Sequence, residues 1–193
     1  IASWRSSFCG ERSHQAPHLR IATARAGNVI GGGDWAADRI LPDAMRSLGW
    51  GEPIPVRNPA ATRPWQHVIE PLAGYLQLAE ALATESDPPC EAFNFGPTLA
   101  SNRSVGELVS TILTHWPGEW LDQSDPTAPH EANLLHLQID KAHHRLGWQP
   151  RWDYATTIER TVAWYRDHHD GSSALGCCLA DLNAYTSHLS STP

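Results

Sequence analysis

A strand-like run that leads directly into a glycine-rich loop is the feature that most constrains the fold of this chain. Residues 19–26 (LRIATARA) alternate apolar with small or polar side chains and are followed by Gly27. The next segment, GNVIGGGDWAAD, has four glycines but no G-x-G-x-x-G fingerprint. Ligands of open α/β sheets bind beyond the carboxyl ends of strands. The pattern predicts an α/β fold in which this loop either contacts a ligand or is a flexible connection.

Further strand and helix patterns alternate along the chain, which supports the α/β prediction. Asp38 is predicted to cap a helix, and Ser104 with Glu107 forms an S-x-x-E capping box for another. Helices are predicted over residues 39–49, 70–84, 105–115, 140–146, 157–168 and about 175–188, with the last turns of one over 1–9. Strands are predicted over residues 54–57, 65–68, 92–95 and 134–139.

Two of these helices have apolar residues at helical spacing, which indicates the faces that they bury. In the helix over 70–84 the predicted buried face consists of Leu72, Tyr75, Leu76, Ala79, Leu82 and Ala83. In the C-terminal helix it consists of Leu175, Leu179, Leu182 and Tyr185.

Charge and composition limit the classes of partner and site. The chain has 14 basic and 21 acidic residues, which gives a net charge of −7, and it contains no run of basic residues. Nucleic acid is therefore not expected as the main partner. No apolar stretch has the length of a membrane span or a signal sequence, which predicts a soluble, cytoplasmic protein with no membrane partner. The cysteine and histidine spacings match no metal motif, so no metal site is predicted.

The basic residues themselves are informative, because all except Lys141 are arginines. The guanidinium group is suited to two-pronged contacts with phosphate or carboxylate. Arg39, Arg57, Arg63 and Arg103 fall at loops or at the edges of predicted elements. They are therefore candidates for contacts with a phosphate or pyrophosphate, and the alternative is a solvated surface with scattered ion pairs.

Several segments together resemble a known family. They are ARAGNVIGGGDWAADRILPD (24–43), IPVRNPAATRPWQHV (54–68), EPLAGY (70–75), FNFGP (93–97), PHEA (129–132) and LGWQP (146–150). These runs resemble the C-terminal half of the CDP-glucose 4,6-dehydratase family, in the extended short-chain dehydrogenase/reductase superfamily of nucleotide-sugar enzymes. The resemblance implies the last strands of a Rossmann sheet plus a small, mixed α/β substrate-binding domain.

This resemblance also implies an organisation and an activity. Residues 1–27 are expected to form the end of the Rossmann NAD-binding domain. Residues 28–170 are expected to form mainly the nucleotide-sugar-binding region, interleaved with the remaining Rossmann elements. Residues 171–193 are expected to form a C-terminal tail of one helix. The implied activity is the NAD-dependent dehydration of CDP-glucose by an intact enzyme, a homodimer. The alternatives are another nucleotide-sugar 4,6-dehydratase or 4-epimerase, and a non-catalytic binding fragment.

The chain itself is expected to be one part of that enzyme, since it starts at Ile1 and its single methionine is Met45. The family's glycine motif and Y-x-x-x-K pair are not found in it, so NAD is expected to bind mainly elsewhere and this chain alone to be inactive. No catalytic residue is predicted here. The resemblance assigns the following residues to substrate binding: Asn28, Arg39, Val56, Arg57, Arg63, Trp65, His130 and Glu131, with His67 shaping the loop of Arg63.

Overall fold

The computed structural model describes residues 1–8, 19–125 and 135–187. Its helices are α1 (Ala2–Phe8), α2 (Ile40–Trp50), α3 (Ile69–Thr84), α4 (Val105–His115), α5 (Asp140–Leu146), α6 (Tyr154–His169) and α7 (Ala174–Ser187). Its strands are β1 (Thr23–Ala26), β2 (Asn28–Ile30), β3 (Ile54–Val56), β4 (Thr62–His67), β5 (Ala92–Phe95), β6 (Asn102–Ser104) and β7 (Trp120–Asp122). None of the described helices is long and apolar enough to cross a membrane.

Most strand pairs are parallel, which confirms the predicted α/β class. Strand β1 pairs with β5, β2 with β4, and β3 with β7, all in parallel, while β6 pairs with β4 in antiparallel fashion. The side chain of Gln66 in β4 donates a 3.0 Å hydrogen bond to the carbonyl oxygen of Phe95 in β5. This buried bond links two of the strand pairs.

The apolar side chains form two buried clusters. The larger cluster lies between α2, α4 and α6 and includes the fully buried Ile54, Val56, Leu108 and Ile158. The smaller cluster is built around Phe93 and Phe95 of β5, with Trp148 and side chains from α3 and α5. The larger cluster supports the elements that line the cleft described below.

Three local predictions are wrong. The segment predicted as a loop after Gly27 contains β2, because Asn28–Ile30 pair with β4. Asp38 does not cap α2: the N-cap is Arg39, without a side-chain bond, and Asp38 has a φ of 63°. The strand predicted over residues 134–139 does not form in its described part, 135–139.

The predicted faces of two helices are also largely wrong. In α3, Leu72 and Leu76 are exposed, and the buried side includes Glu70. In α7, the leucines 175, 179 and 182 are exposed, whereas Asp181 and Tyr185 are buried. Both helices bury a carboxylate that has hydrogen-bond partners, so apolar periodicity alone identified the wrong side.

Candidate functional site

A cleft of about 1400 Å³ gathers residues that are far apart in the sequence. Gly27 and the three residues of β2 form one wall, and the first turn of α2 forms another. Pro55 and Arg57 from the end of β3 and Arg63 and Trp65 from β4 complete it. The parallel pairing of β2 with β4 places Asn28 directly beside Trp65.

Three of the four candidate arginines line this one cleft: Arg39, Arg57 and Arg63. They come from the start of α2, the residue after β3, and β4, so only the folded chain brings them together. Arg103 instead lines a second, smaller depression with Glu107 and Tyr154. The cleft therefore holds a group of guanidinium groups suited to an anion with several oxygen atoms.

Aspartates that were not predicted as site residues accompany these arginines. Nη1 of Arg39 lies 3.0 Å from Oδ2 of Asp34. Nη2 of Arg57 lies 3.0 Å from Oδ1 of Asp38 and 3.9 Å from Oδ2 of Asp43. The side chains of Arg39 and Arg57 nevertheless keep 66% and 63% of their surface exposed, which leaves donors available for a ligand.

The remaining predicted site residues have different places. Trp65 is buried at the wall of the cleft, where its indole N–H donates a 3.0 Å bond to the Arg103 carbonyl. Val56 is fully buried in the larger core cluster, and its neighbours in sequence line the cleft instead. His130 and Glu131 lie outside the described residues.

The glycine-rich loop is a tightly packed segment, and its residues 27–30, Asp34 and Asp38 line the cleft. A Cβ atom on Gly32 would lie 2.0 Å from the Trp164 ring, so only glycine allows this contact with α6. The hydroxyl of Tyr165 lies 2.7 Å from the Asp34 carbonyl and 3.2 Å from the Gly31 carbonyl. The loop is therefore held against α6 and is not a flexible connection.

A buried polar cluster adjoins β4 and the start of α3. His67 and Asp181 are nearly inaccessible, with 3.7 Å between Nε2 and Oδ2, and Arg160 binds Asp181 at 2.7 Å. Burial, and secondarily the charge of Arg160, lower the pKa of His67 to about 4. The imidazole is thus neutral at physiological pH, and the predicted role of His67 in shaping the loop of Arg63 stays a prediction. No group of side chains in the described part of the chain has the composition and spacing of a metal site.

Comparison with known proteins identifies the relatives of this chain. No protein-family model matches it. It is 39% identical over 188 residues to CDP-glucose 4,6-dehydratase of Salmonella typhimurium, an alignment that covers 96% of this chain and 52% of that protein. The chain thus spans about half the length of this curated relative.

Solved structures show the same fold. A dTDP-glucose 4,6-dehydratase from Bacillus anthracis, in complex with NAD, has a TM-score of 0.65 at 16% identity and is matched over 88% of this chain and 49% of its own. A UDP-glucuronic acid 4-epimerase from Bacillus cereus, in complex with UDP-glucuronic acid and NAD, has a TM-score of 0.66 at 17% identity, over 78% of this chain and 46% of its own. These findings confirm the predicted resemblance to CDP-glucose 4,6-dehydratase and the Rossmann-like fold of the extended short-chain dehydrogenases/reductases.

Proposed function

We propose that this chain, which resembles CDP-glucose 4,6-dehydratase over nearly its whole length, is the nucleotide-sugar-binding part of such an enzyme. The observation that carries the proposal is the convergence of Arg39, Arg57 and Arg63 on one cleft beside Asn28. A nucleotide sugar presents a diphosphate whose oxygens match the two-pronged geometry of guanidinium groups. Four aspartates also line the cleft, so the three guanidinium groups, rather than a net positive charge, are what would contact an anionic ligand.

Each wall of the cleft has a distinct role in this proposal. The three arginines bind the diphosphate, and the amide of Asn28 donates to a phosphate or sugar oxygen. The apolar surfaces of Pro55 and Trp65 pack beside the nucleoside. These interactions hold the sugar in a fixed orientation, which is the contribution that a binding region makes to catalysis.

For the intact enzyme, we propose the dehydration of CDP-glucose to CDP-4-keto-6-deoxyglucose. NAD would supply reversible hydride transfer, so that the hydride taken from C4 returns to C6 after water leaves and no net oxidation occurs. The cofactor is proposed to bind the intact enzyme mainly outside this chain.

Three expectations stay predictions: the division of the chain at residues 27 and 170, the cytoplasmic location and homodimeric state of the enzyme, and the substrate-binding roles of His130 and Glu131. They enter the proposal only as properties of the intact enzyme. The binding role of the cleft is testable on the chain itself.

Indole N–H resonances provide a direct test, because Trp65 lines the cleft whereas Trp148 packs against Phe95 in the smaller core cluster. We expect millimolar CDP-glucose, and CDP with lower affinity, to shift the Trp65 resonance in a ¹H–¹⁵N spectrum and to leave Trp148 unchanged. Glucose alone should shift neither. If no nucleotide shifts the Trp65 resonance, the proposed binding role is wrong. If UDP-glucose binds clearly more tightly than CDP-glucose, the intact enzyme is instead an epimerase or another dehydratase.

A further inference from the structure

We propose that Tyr165 is a positioning residue for the substrate-binding Arg39 and that it acts through the segment Gly31–Asp34. The inference rests on the proposed function of the cleft. It adds a residue from α6 that does not line the cleft.

The phenol group is fixed where it can hold the loop. Tyr165 is 2% exposed, and its hydroxyl lies 2.7 Å from the Asp34 carbonyl oxygen and 3.2 Å from that of Gly31. Burial raises its pKa to about 12, so the hydroxyl stays protonated and remains a donor at any physiological pH. The hydroxyl therefore donates mainly to the Asp34 carbonyl, the nearer of the two acceptors, in the segment that turns from β2 towards α2.

The connection to the cleft runs through a single residue. The backbone of Asp34 accepts the bond from Tyr165, and its carboxylate accepts a 3.0 Å bond from Nη1 of Arg39 and another from the backbone N–H of Ala36. Displacing the Asp34 peptide would thus move the carboxylate that orients the guanidinium group. Asp34 and Arg39 both line the cleft.

Ring contacts restrain both Tyr165 and the segment that it contacts. Trp35 makes an edge-to-face contact with Tyr165, with 5.1 Å between ring centroids. Trp164 packs against Gly32, where even one methyl group would not fit. These contacts restrain the segment and the Tyr165 ring, and the hydroxyl of Tyr165 adds the bond that fixes the Asp34 carbonyl group.

The test is a double-mutant cycle with Tyr165→Phe and Arg39→Ala, using the dissociation constant for CDP-glucose measured by NMR titration. Tyr165→Phe should weaken binding about three- to tenfold in the wild-type background, by analogy with the loss of one hydrogen bond. It should have little effect in the Arg39→Ala background, because the group that it orients is gone. A loss of equal size in both backgrounds, or no loss at all, would overturn the proposal.

Tyr154→Phe is the matched control, since this tyrosine lies on the same helix and its hydroxyl bonds to Thr111, away from the cleft. Its variant should bind CDP-glucose as the wild type does. If Tyr165→Phe fails to fold, Asp34→Asn tests the second half of the connection with Tyr165 intact. It should weaken CDP-glucose binding in the wild-type background and have little effect in the Arg39→Ala background, because the Asp34 carboxylate acts through Arg39. Unchanged or tighter binding by Asp34→Asn would contradict the orienting role of Asp34.

A measurement without ligand separates this inference from the proposed function. Tyr165→Phe should speed hydrogen exchange of the Ala36 amide, which is bonded to the Asp34 carboxylate, relative to Tyr154→Phe. If the wild type binds no nucleotide, the proposed function fails, and the exchange data still decide whether Tyr165 positions Asp34. Unchanged exchange would contradict the positioning role whatever the ligand.

Discussion

The hydroxyl of Tyr185 donates a 2.9 Å hydrogen bond to the carboxylate of Glu70, which lies 115 positions earlier in the chain. Glu70 is fully buried and also accepts bonds from the backbone N–H groups of Arg151 and Trp152, at 3.0 and 2.7 Å. Burial raises the pKa of Glu70, and the three donors favour its charged form. This carboxylate joins the start of α3 to α7 and to the residues before α6.

Replacement of Tyr185 by Phe should destabilise the fold. The change removes one donor from a buried carboxylate and keeps the ring, so we expect a loss of about 1–3 kcal/mol in the free energy of unfolding. Urea denaturation monitored by circular dichroism measures it. Thr186→Ala is the control on the next residue, because the Thr186 hydroxyl bonds only within its own exposed helix turn. Equal stability of the two variants would show that the Glu70–Tyr185 bond does not stabilise α7.

Stability should fall as the pH is lowered from about 6.5 to about 4, in part because of His67. Its pKa drops from 6.5 to about 4 on folding, so within this window the unfolded chain binds a proton that the folded chain does not. The contribution of His67 is complete above pH 6.5 and amounts to about 3 kcal/mol. Asp181 and Arg160 adjoin the ring, and the raised pKa of Asp181, due mainly to burial, acts in the opposite direction.

His67→Gln isolates this contribution. Its free energy of unfolding should depend less on pH between 6.5 and 4 than that of the wild type, as measured by urea denaturation at several pH values. His144→Gln, at an exposed histidine, should keep the wild-type profile. Parallel profiles for His67→Gln and the wild type would contradict the expected protonation difference.

Asp38→Asn should strengthen nucleotide-sugar binding. The carboxylate of Asp38 lies 3.0 Å from Arg57 and is 81% exposed, whereas that of Asp34 is 35% exposed and also accepts a bond from the Ala36 N–H. The Asp38 carboxylate therefore does little to orient its arginine, and a diphosphate must compete with it. Asparagine tolerates the backbone φ of 63° and removes the charge. An exposed ion pair contributes about 0.2–1 kcal/mol, so affinity should rise by up to about fivefold. Asp87→Asn, next to Arg145 and outside the cleft lining, should leave the affinity unchanged in the same NMR titration.

Arg63→Ala should weaken binding of CDP-glucose by about 1.5–3 kcal/mol, the usual contribution of hydrogen bonds to a charged group. Arg103→Ala is the matched control, because Arg103 lies opposite Arg63 in the antiparallel strand β6 but lines the second depression. Its variant should bind like the wild type. An unchanged dissociation constant for Arg63→Ala would remove Arg63 from the proposed site.

The sequence predicted the ends of helices well, because the interactions that end a helix involve residues close together in the chain. The capping box of Ser104 and Glu107 forms as predicted, and Gly147 ends α5 with a left-handed φ of 64°. Helix α3 and strand β5 also form close to their predicted bounds. The helix ends depend on contacts within a few residues, whereas β5 also depends on its pairing with β1.

Faces and partners were not predictable in this way. Glu70 and Asp181 are buried because Tyr185 and Arg160 satisfy their oxygens, and these partners come from distant elements. Apolar periodicity assumes that carboxylates face solvent, so it assigned the exposed leucines of α7 to the core. The formation of β2 likewise depends on a distant partner, because its pairing strand β4 comes only after α2 and β3 in the chain.

By itself, the sequence determined the α/β class, most helix ends, the family resemblance and the arginines able to bind a phosphate. Which of those arginines share a cleft was decided by the tertiary structure: Arg39, Arg57 and Arg63 converge, and Arg103 lies elsewhere. The same holds for the glycine-rich loop, whose conformation depends on Trp164 and Tyr165. The physical reason is that these arrangements are made by packing between elements, and a sequence pattern encodes only the preferences of each element.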